Sequence, residues 1–382
     1  MKKIFILGST GSIGSQALDV ISNNKDKFEL VGISCNSSIH KFIEQILKFK
    51  PKFAIMENEA LLAAVKSKTV HTGCKFISGK DCYKIAASEI GEIDCLVSAI
   101  STSAGMLPTF EMMKNAKKLA IANKESVVCA GHLLKAIAVE NNIEIAPIDS
   151  EHNSLYRLIS GVIKSDIERV FLTASGGMFC DKTEKEFQDI TLADAVNHPN
   201  WSMGMKNTID SNSMANKALE IMEAGVLFDL NYKQIDAVIE RSSICHGMAE
   251  MKDGSVHSFM SKPDMKNHIS HAMSGEIIDN KLQKIDFSEV LNLSFIPIPK
   301  HFKPFYLGKW ALKNGIVHQN IFNFANEVAV ERFAAGNLSF YQIGNLIESA
   351  LAIDFKAGKL ENVYDILALK SEVYNYCFSC KI

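Results

Sequence analysis

Three stretches of the chain carry residue types and spacings that can do chemistry. The first is Gly8-Ser9-Thr10-Gly11-Ser12-Ile13-Gly14, directly after the apolar run 3–7. Glycine lets the backbone turn tightly and approach phosphates closely, and a helix opening there adds amide donors and its dipole. The spacing is G-x-x-G-x-x-G rather than G-x-G-x-x-G, but the strand-to-helix context is the one a dinucleotide site requires. The second stretch is Asp149-Ser150-Glu151-His152, after a strand-like run and Pro147. In extended chain the i and i+2 side chains share a face, so Asp149 and Glu151 are expected to converge. Two hard carboxylates at a strand mouth suit Mg²⁺ or Mn²⁺. The third runs from Asp210 through Ser211, Ser213, Asn216 and Lys217 to Glu220. A helix capped by Ser211 or Ser213 would carry Asn216 and Glu220 on one face, four apart. Glu220 would be a third oxygen ligand, and Lys217, Asn216 and the serines are donors suited to a phosphate. Each stretch alone has a plain alternative: an empty βα loop, solvated loop charge, a capped amphipathic helix. Their coexistence in one chain favours a site.

Two further segments point the same way. Thr173-Ala174-Ser175-Gly176-Gly177 follows a strand-like run and offers hydroxyls and bare backbone, a candidate anion nest. His198-Pro199-Asn200-Trp201-Ser202-Met203-Gly204 reads as a lid that closes over substrate, against the alternative of a Trp anchoring an ordinary loop. The second strand runs into Cys35-Asn36-Ser37-Ser38 with no acid at its end. An NAD site usually places Asp or Glu there, so NADP is favoured, with Lys41 near enough to add charge.

The elements that must position these residues are legible in outline. Apolar runs at 3–7, 30–34, 53–56, 95–99, 119–121 and 144–146 alternate with helical spacings at 15–22, 40–49 and 59–66. That alternation predicts βαβ units and a parallel sheet. After Asp149 the pattern becomes mixed α/β, with strand candidates at 169–173, 236–239 and 248–251. Pro297, Pro299 and Pro304 mark a crossing, and 321–335, 341–353 and 363–376 read as helices. The predicted class is α/β: an N-terminal Rossmann-like parallel sheet (1–147), a central α/β catalytic domain (148–276, lid near 197–205), a linker (277–300) and a small C-terminal helical domain (301–382).

Composition bounds the partners. The 382 residues are 47% hydrophobic, with a net charge of −2, so neither nucleic acid nor an anionic membrane is attracted overall. No apolar run is long enough to span a bilayer, and residues 4–7 are too short for a signal-peptide core. Nine scattered cysteines fit reduced thiols and a cytoplasmic setting. The Cys377/Cys380 pair at the C-terminus reads as a tail rather than a metal or redox site.

In this order, GSTGSIG, ANKES at 122–126, PIDSEHN, LTASGG, HPNWSMG, the DS…NK…LE helix and NEVAVERF resemble the 1-deoxy-D-xylulose 5-phosphate reductoisomerase family over essentially the whole chain. The resemblance implies NADPH- and metal-dependent isomerisation and reduction of 1-deoxyxylulose 5-phosphate to 2-C-methylerythritol 4-phosphate, in the non-mevalonate isoprenoid pathway, by a homodimer. Carried over by position, Asp149, Glu151 and Glu220 would ligate the metal. Ser150, Glu151, Ser175, His198, Ser211, Asn216, Lys217 and Glu220 would contact the phosphorylated sugar. Thr10, Gly11, Ser12, Ile13, Asn36, Ser37, Ser38, Asn123, Lys124, Glu125 and Gly204 would contact the cofactor. Lys124 would stand close to nicotinamide and substrate, with His152 and His246 near the site.

The chain departs from the family pattern at Met178 for Pro, Cys180 for a basic residue, and Met205 for Arg. It also departs at Ser-Asn-Ser 211–213 for Ser-Ala-Thr and at Glu240 for a histidine. None removes an expected metal ligand or phosphate donor. Two rival readings fit parts of the same sequence. Another NADP-dependent two-domain reductase would need an activated cysteine or Tyr-x-x-x-Lys, and neither is evident. A nucleotide-sensing Rossmann protein would bind NADPH but need no metal.

Overall fold

The structure is a computed structural model that describes residues 1–197 and 204–382; the expected lid, with His198 and Trp201, lies outside these apart from its flanks. The chain divides into two compact units. One comprises residues 1–123, 134–149 and 264–282, the other 124–133, 150–263 and 283–382.

The first unit is built on seven parallel strands: β1 (Lys2–Leu7), β2 (Phe28–Cys35), β3 (Phe53–Met56), β4 (Lys75–Ser78), β5 (Ile93–Ser98), β6 (Ala116–Ile121) and β7 (Glu144–Pro147). Their order is β4-β3-β2-β1-β5-β6-β7. Ile4, Phe5, Ile6 and Leu7 are all fully buried, as a parallel sheet covered on both faces demands. Gly32 of β2 belongs to this packing: a Cβ there would lie 2.1 Å from the Phe5 ring. The chain leaves β1 between β2 on one side and β5 on the other, the switch point where open α/β sheets bind ligands. The glycine turn leaves the sheet at that point.

The second unit holds a mixed sheet of β8 (Ile167–Ala174), β9 (Ile235–Ile239), β10 (Cys245–Met251), β11 (Val256–Met260) and β12 (Ile296–Pro297), ordered β11-β10-β8-β9-β12. Only β8 and β9 run parallel. The Ala215–Phe228 helix packs on β8 and β9, and the Lys303–Asn314 helix packs on it in turn. The C-terminal helices Lys303–Asn314, Ile316–Ala334, Gln342–Leu351 and Val363–Ser379 belong to this same unit. Pro304 stands in the first turn of Lys303–Asn314, where its missing N–H costs nothing. The C-terminal cysteine pair ends the last helix, where Arg332 Nη1 donates to the carbonyls of Cys377 (2.7 Å) and Cys380 (2.8 Å).

Candidate active site

The glycine turn is shaped by steric need at two of its three glycines. Gly8 has φ +76°, and a Cβ there would lie 2.8 Å from the Ala99 carbonyl oxygen. A Cβ on Gly14 would lie 2.3 Å from the Gly8 carbonyl oxygen, so the turn and the helix must touch through bare backbone. Gly11 is different: its φ is −70° and the nearest atom to a Cβ is 3.4 Å away. Among the described residues no side chain caps the Ser12–Asn23 helix and no acid stands in its first turn. Its N-terminal amides and dipole are therefore offered to an anion. Around the turn, the Ser34 hydroxyl accepts from Gly8 N–H at 2.9 Å, Gln45 donates to the Ser9 carbonyl at 2.9 Å, and Lys41 donates to the Thr10 carbonyl at 2.8 Å. Lys41 thus stands at the turn, and Asn36, Ser37 and Ser38 are exposed beyond β2. Asn123, expected at the cofactor, is buried and donates to the Thr102 carbonyl at 2.7 Å and to that of Ile100.

In the second unit, residues far apart in sequence meet around one buried lysine. Lys217 Nζ donates to Glu151 Oε1 at 2.8 Å, to the Thr173 carbonyl at 2.6 Å and to Glu220. Lys124 Nζ donates to Glu220 Oε1 at 2.9 Å and Asn216 Oδ1 at 2.7 Å. Asn216 in turn donates to Glu220, so the expected i, i+4 pair shares one face. Glu151 accepts from the Ser150 hydroxyl at 2.5 Å. Behind this group His152 is fully buried; its Nε2 lies 2.9 Å from the Glu220 carbonyl oxygen and its Nδ1 3.6 Å from Glu223.

Asp149 joins the group through its place in the chain: it is peptide-bonded to Ser150, which opens the Ser150–Ile159 helix. One carboxylate oxygen from each of Asp149, Glu151 and Glu220 lies within 4.8 Å of the others. The carboxylates of Asp149 and Glu151 therefore converge at a helix start, not along the extended strand expected from their i, i+2 spacing. Ser211 and Ser213, expected to cap, belong to the preceding helix, Met205–Ser213, and Met214 at φ +63° is the N-cap of Ala215–Phe228. The Ser213 hydroxyl accepts from the first N–H of the Ala215–Phe228 helix, that of Ala215, at 3.4 Å, but from one position before the cap.

The anion-nest segment lies beside this group. Lys217 reaches the end of β8, and Gly176 and Gly177 follow with φ of +82° and +60°. A Cβ on Gly177 would lie 2.6 Å from Asn212 Oδ1, which accepts from Met178 N–H at 2.8 Å. Asn212 Nδ2 also donates to the carbonyls of Ala195 and Asn197, both at 2.9 Å. In the sequence Asn212 stands out only as a departure from the family pattern. It ties Ser175-Gly176-Gly177 to the helix that carries Ser211, and no local pattern announces it.

The chain belongs to the 1-deoxy-D-xylulose 5-phosphate reductoisomerase family. Models of that enzyme match residues 4–131, of its C-terminal domain residues 145–228, and of the DXP reductoisomerase C-terminal domain residues 260–376. It is 39% identical to the 1-deoxy-D-xylulose 5-phosphate reductoisomerase of Clostridium botulinum (strain Loch Maree / Type A3), over 98% of each chain. A DOX-P reductoisomerase crystallised with NADPH, fosmidomycin and magnesium superposes with a TM-score of 0.93 at 31% identity, over 99% of this chain and 98% of the other. The Zymomonas mobilis enzyme in complex with NADPH gives 0.90 at 28% identity, over 98% of both.

Within that family pattern, Glu240 takes a structural task. The buried carboxylate accepts from Ser242 N–H (2.9 Å), the Ser242 hydroxyl (2.6 Å), Ile244 N–H (2.9 Å) and Cys245 N–H (3.1 Å), closing the turn before β10. Glu240 N–H donates to the Ala174 carbonyl at 2.8 Å, next to Ser175. Glu240→Ala strands these donors and is expected to lower unfolding stability by about 1–3 kcal/mol in urea denaturation, with Glu240→Gln losing less. A change under about 0.5 kcal/mol, the range of an ordinary surface substitution, would contradict this role. His246, after the turn, is buried with Nε2 3.0 Å from the Ser261 hydroxyl.

Proposed function

We propose that this protein converts 1-deoxy-D-xylulose 5-phosphate to 2-C-methyl-D-erythritol 4-phosphate, using NADPH and a divalent metal. The observation that carries the reading is the convergence of Asp149, Glu151 and Glu220 beside Lys217 and Lys124. Three hard oxygen donors fit Mg²⁺ or Mn²⁺, and the uncapped helix at the glycine turn fits a pyrophosphate. Asp149, Glu151 and Glu220 would hold the metal, which would supply Lewis acidity toward the sugar's oxygens.

The chain's own groups do the rest. Lys217, Asn216, Ser175 and Ser211 bind the phosphate, with the Lys217 ammonium neutralising part of its charge. Ser150 orients substrate hydroxyls. Lys124 Nζ holds substrate oxygen beside the nicotinamide. Thr10, Gly11, Ser12 and Ile13 take the pyrophosphate; Asn36, Ser37 and Ser38, with Lys41, take the 2′-phosphate. Asn123, Glu125 and Gly204 complete the cofactor contacts. His198, outside the described residues, is assigned to the substrate by its match to the family's lid histidine.

The further reading is of a cytoplasmic homodimer that accepts Mn²⁺ or Mg²⁺. All nine cysteines are free, which fits a reducing compartment. Among the described residues no helix is long and apolar enough to cross a membrane.

The test is NADPH oxidation by the full chain with 1-deoxyxylulose 5-phosphate and Mn²⁺, with and without chelator. Consumption that requires both substrate and metal is the expected result. No consumption, or consumption unaffected by chelator, overturns the reading and returns the sensor or another reductase.

A further inference from the structure

Adjacent residues at the start of the Lys124–Asn141 helix are held by opposite charges from two different helices. Lys124 is bound by Glu220 and Asn216 of Ala215–Phe228. Glu125 is bound by Lys206 of Met205–Ser213, whose ammonium lies 3.1 Å from Glu125 Oε1 and 2.6 Å from Asp210 Oδ2. The side chains of Glu125 and Asp210 are 5% and 2% exposed, and that of Lys206 16%. Asp210 Oδ1 accepts from Asn326 Nδ2 at 2.9 Å, which extends the chain of contacts to the Ile316–Ala334 helix.

The Lys206 ammonium thus pairs directly with two carboxylates inside the second unit, with the charge of Glu327 a further one acting on it. Burial alone would raise the carboxyl pKa of Glu125, yet the Lys206 ammonium holds it below the ordinary value. Buried ion groups of this kind add little net stability over apolar packing, and their best-attested use is to fix register. Here the geometry supplies a register to fix. Consecutive side chains on a helix point about 100° apart. Pinning Glu125 toward Lys206 therefore sets the direction in which Lys124 leaves the same turn, toward Glu220.

We propose that Lys206 is a positioning residue: by holding Glu125 it orients Lys124, and through Lys124 the carboxylate of Glu220. The inference rests on the proposed function for its consequence in catalysis, but its test does not need turnover. Lys206→Met is expected to weaken Mn²⁺ binding about tenfold, measured by loss of the free-ion EPR signal on titration. Lys206→Arg keeps the cation and is expected to stay within about threefold of the wild type, with both variants showing wild-type circular dichroism. A purely structural role would lower the folded fraction without moving the affinity of the folded protein.

If Lys206→Met does not fold, Lys206→Met/Asp210→Asn removes a cation together with an anion and is read by the same criterion. A folded variant with no cation at position 206, Lys206→Met or Lys206→Met/Asp210→Asn, that binds Mn²⁺ within twofold of the wild type overturns the proposal. Failure of the wild type to oxidise NADPH would instead overturn the function and leave the Mn²⁺ comparison as the judge of Lys206.

Discussion

Glu220→Gln is expected to cut turnover about 10²–10³-fold, the usual effect of removing one group that stabilises developing charge. Glu220 does three things at once: one of its oxygens stands in the carboxylate group with Asp149 and Glu151, and it pairs with Lys124 and with Lys217. The amide keeps the volume and one acceptor but removes the charge. Lys217 retains Glu151 and the Thr173 carbonyl, and Lys124 retains Asn216, so the fold should persist. Metal affinity should fall by at least about 10–100-fold, because even a group one step removed from a metal costs that much. Turnover within threefold of the wild type at saturating Mn²⁺ would remove Glu220 from the metal centre.

The glycine turn gives the second large effect, and a contrast inside it. Gly14→Ala forces a methyl to 2.3 Å from the Gly8 carbonyl oxygen and 2.6 Å from Ser9 Cα, both backbone atoms. The turn must move, with an expected loss of about 1–3 kcal/mol in stability. NADPH affinity, read by fluorescence titration, should fall together with it. Gly11→Ala meets nothing closer than 3.4 Å and needs no unusual φ, so stability should stay within about 0.5 kcal/mol. Its methyl would still intrude where the phosphates approach the backbone, and a tenfold weaker NADPH complex corresponds to about 1.4 kcal/mol. If Gly11→Ala binds NADPH as tightly as the wild type, the middle glycine does not face the cofactor.

Much of this was legible in the sequence, for identifiable reasons. The core strands of the first sheet read clearly because parallel strands buried on both faces are continuous apolar runs, as at Phe53–Met56. The edge strand β4, Lys75–Ser78, escaped because it is short, polar at both ends and half-buried. The exposed β11, Val256–Met260, escaped for a similar reason. At the site, Asn216 and Glu220 were found through helical spacing. Lys124 was placed only through family resemblance, because its partner lies 96 residues away. The Lys206–Glu125 pair and the three contacts of Asn212 left no local signal at all, since sequence spacing describes one element and these bonds join several.

The proposed reaction couples a carbon-skeleton rearrangement to reduction by NADPH on one chain, with a divalent metal held by Asp149, Glu151 and Glu220. The most direct measurement follows NADPH oxidation and product carbon connectivity together, by absorbance and ¹³C NMR, with 1-deoxyxylulose 5-phosphate and Mn²⁺. The expected result is a branched methyl-tetritol phosphate formed mole for mole with NADPH consumed, and neither change with chelator. NADPH consumed to give an unbranched reduced sugar phosphate, or a branched product formed without metal, would contradict it.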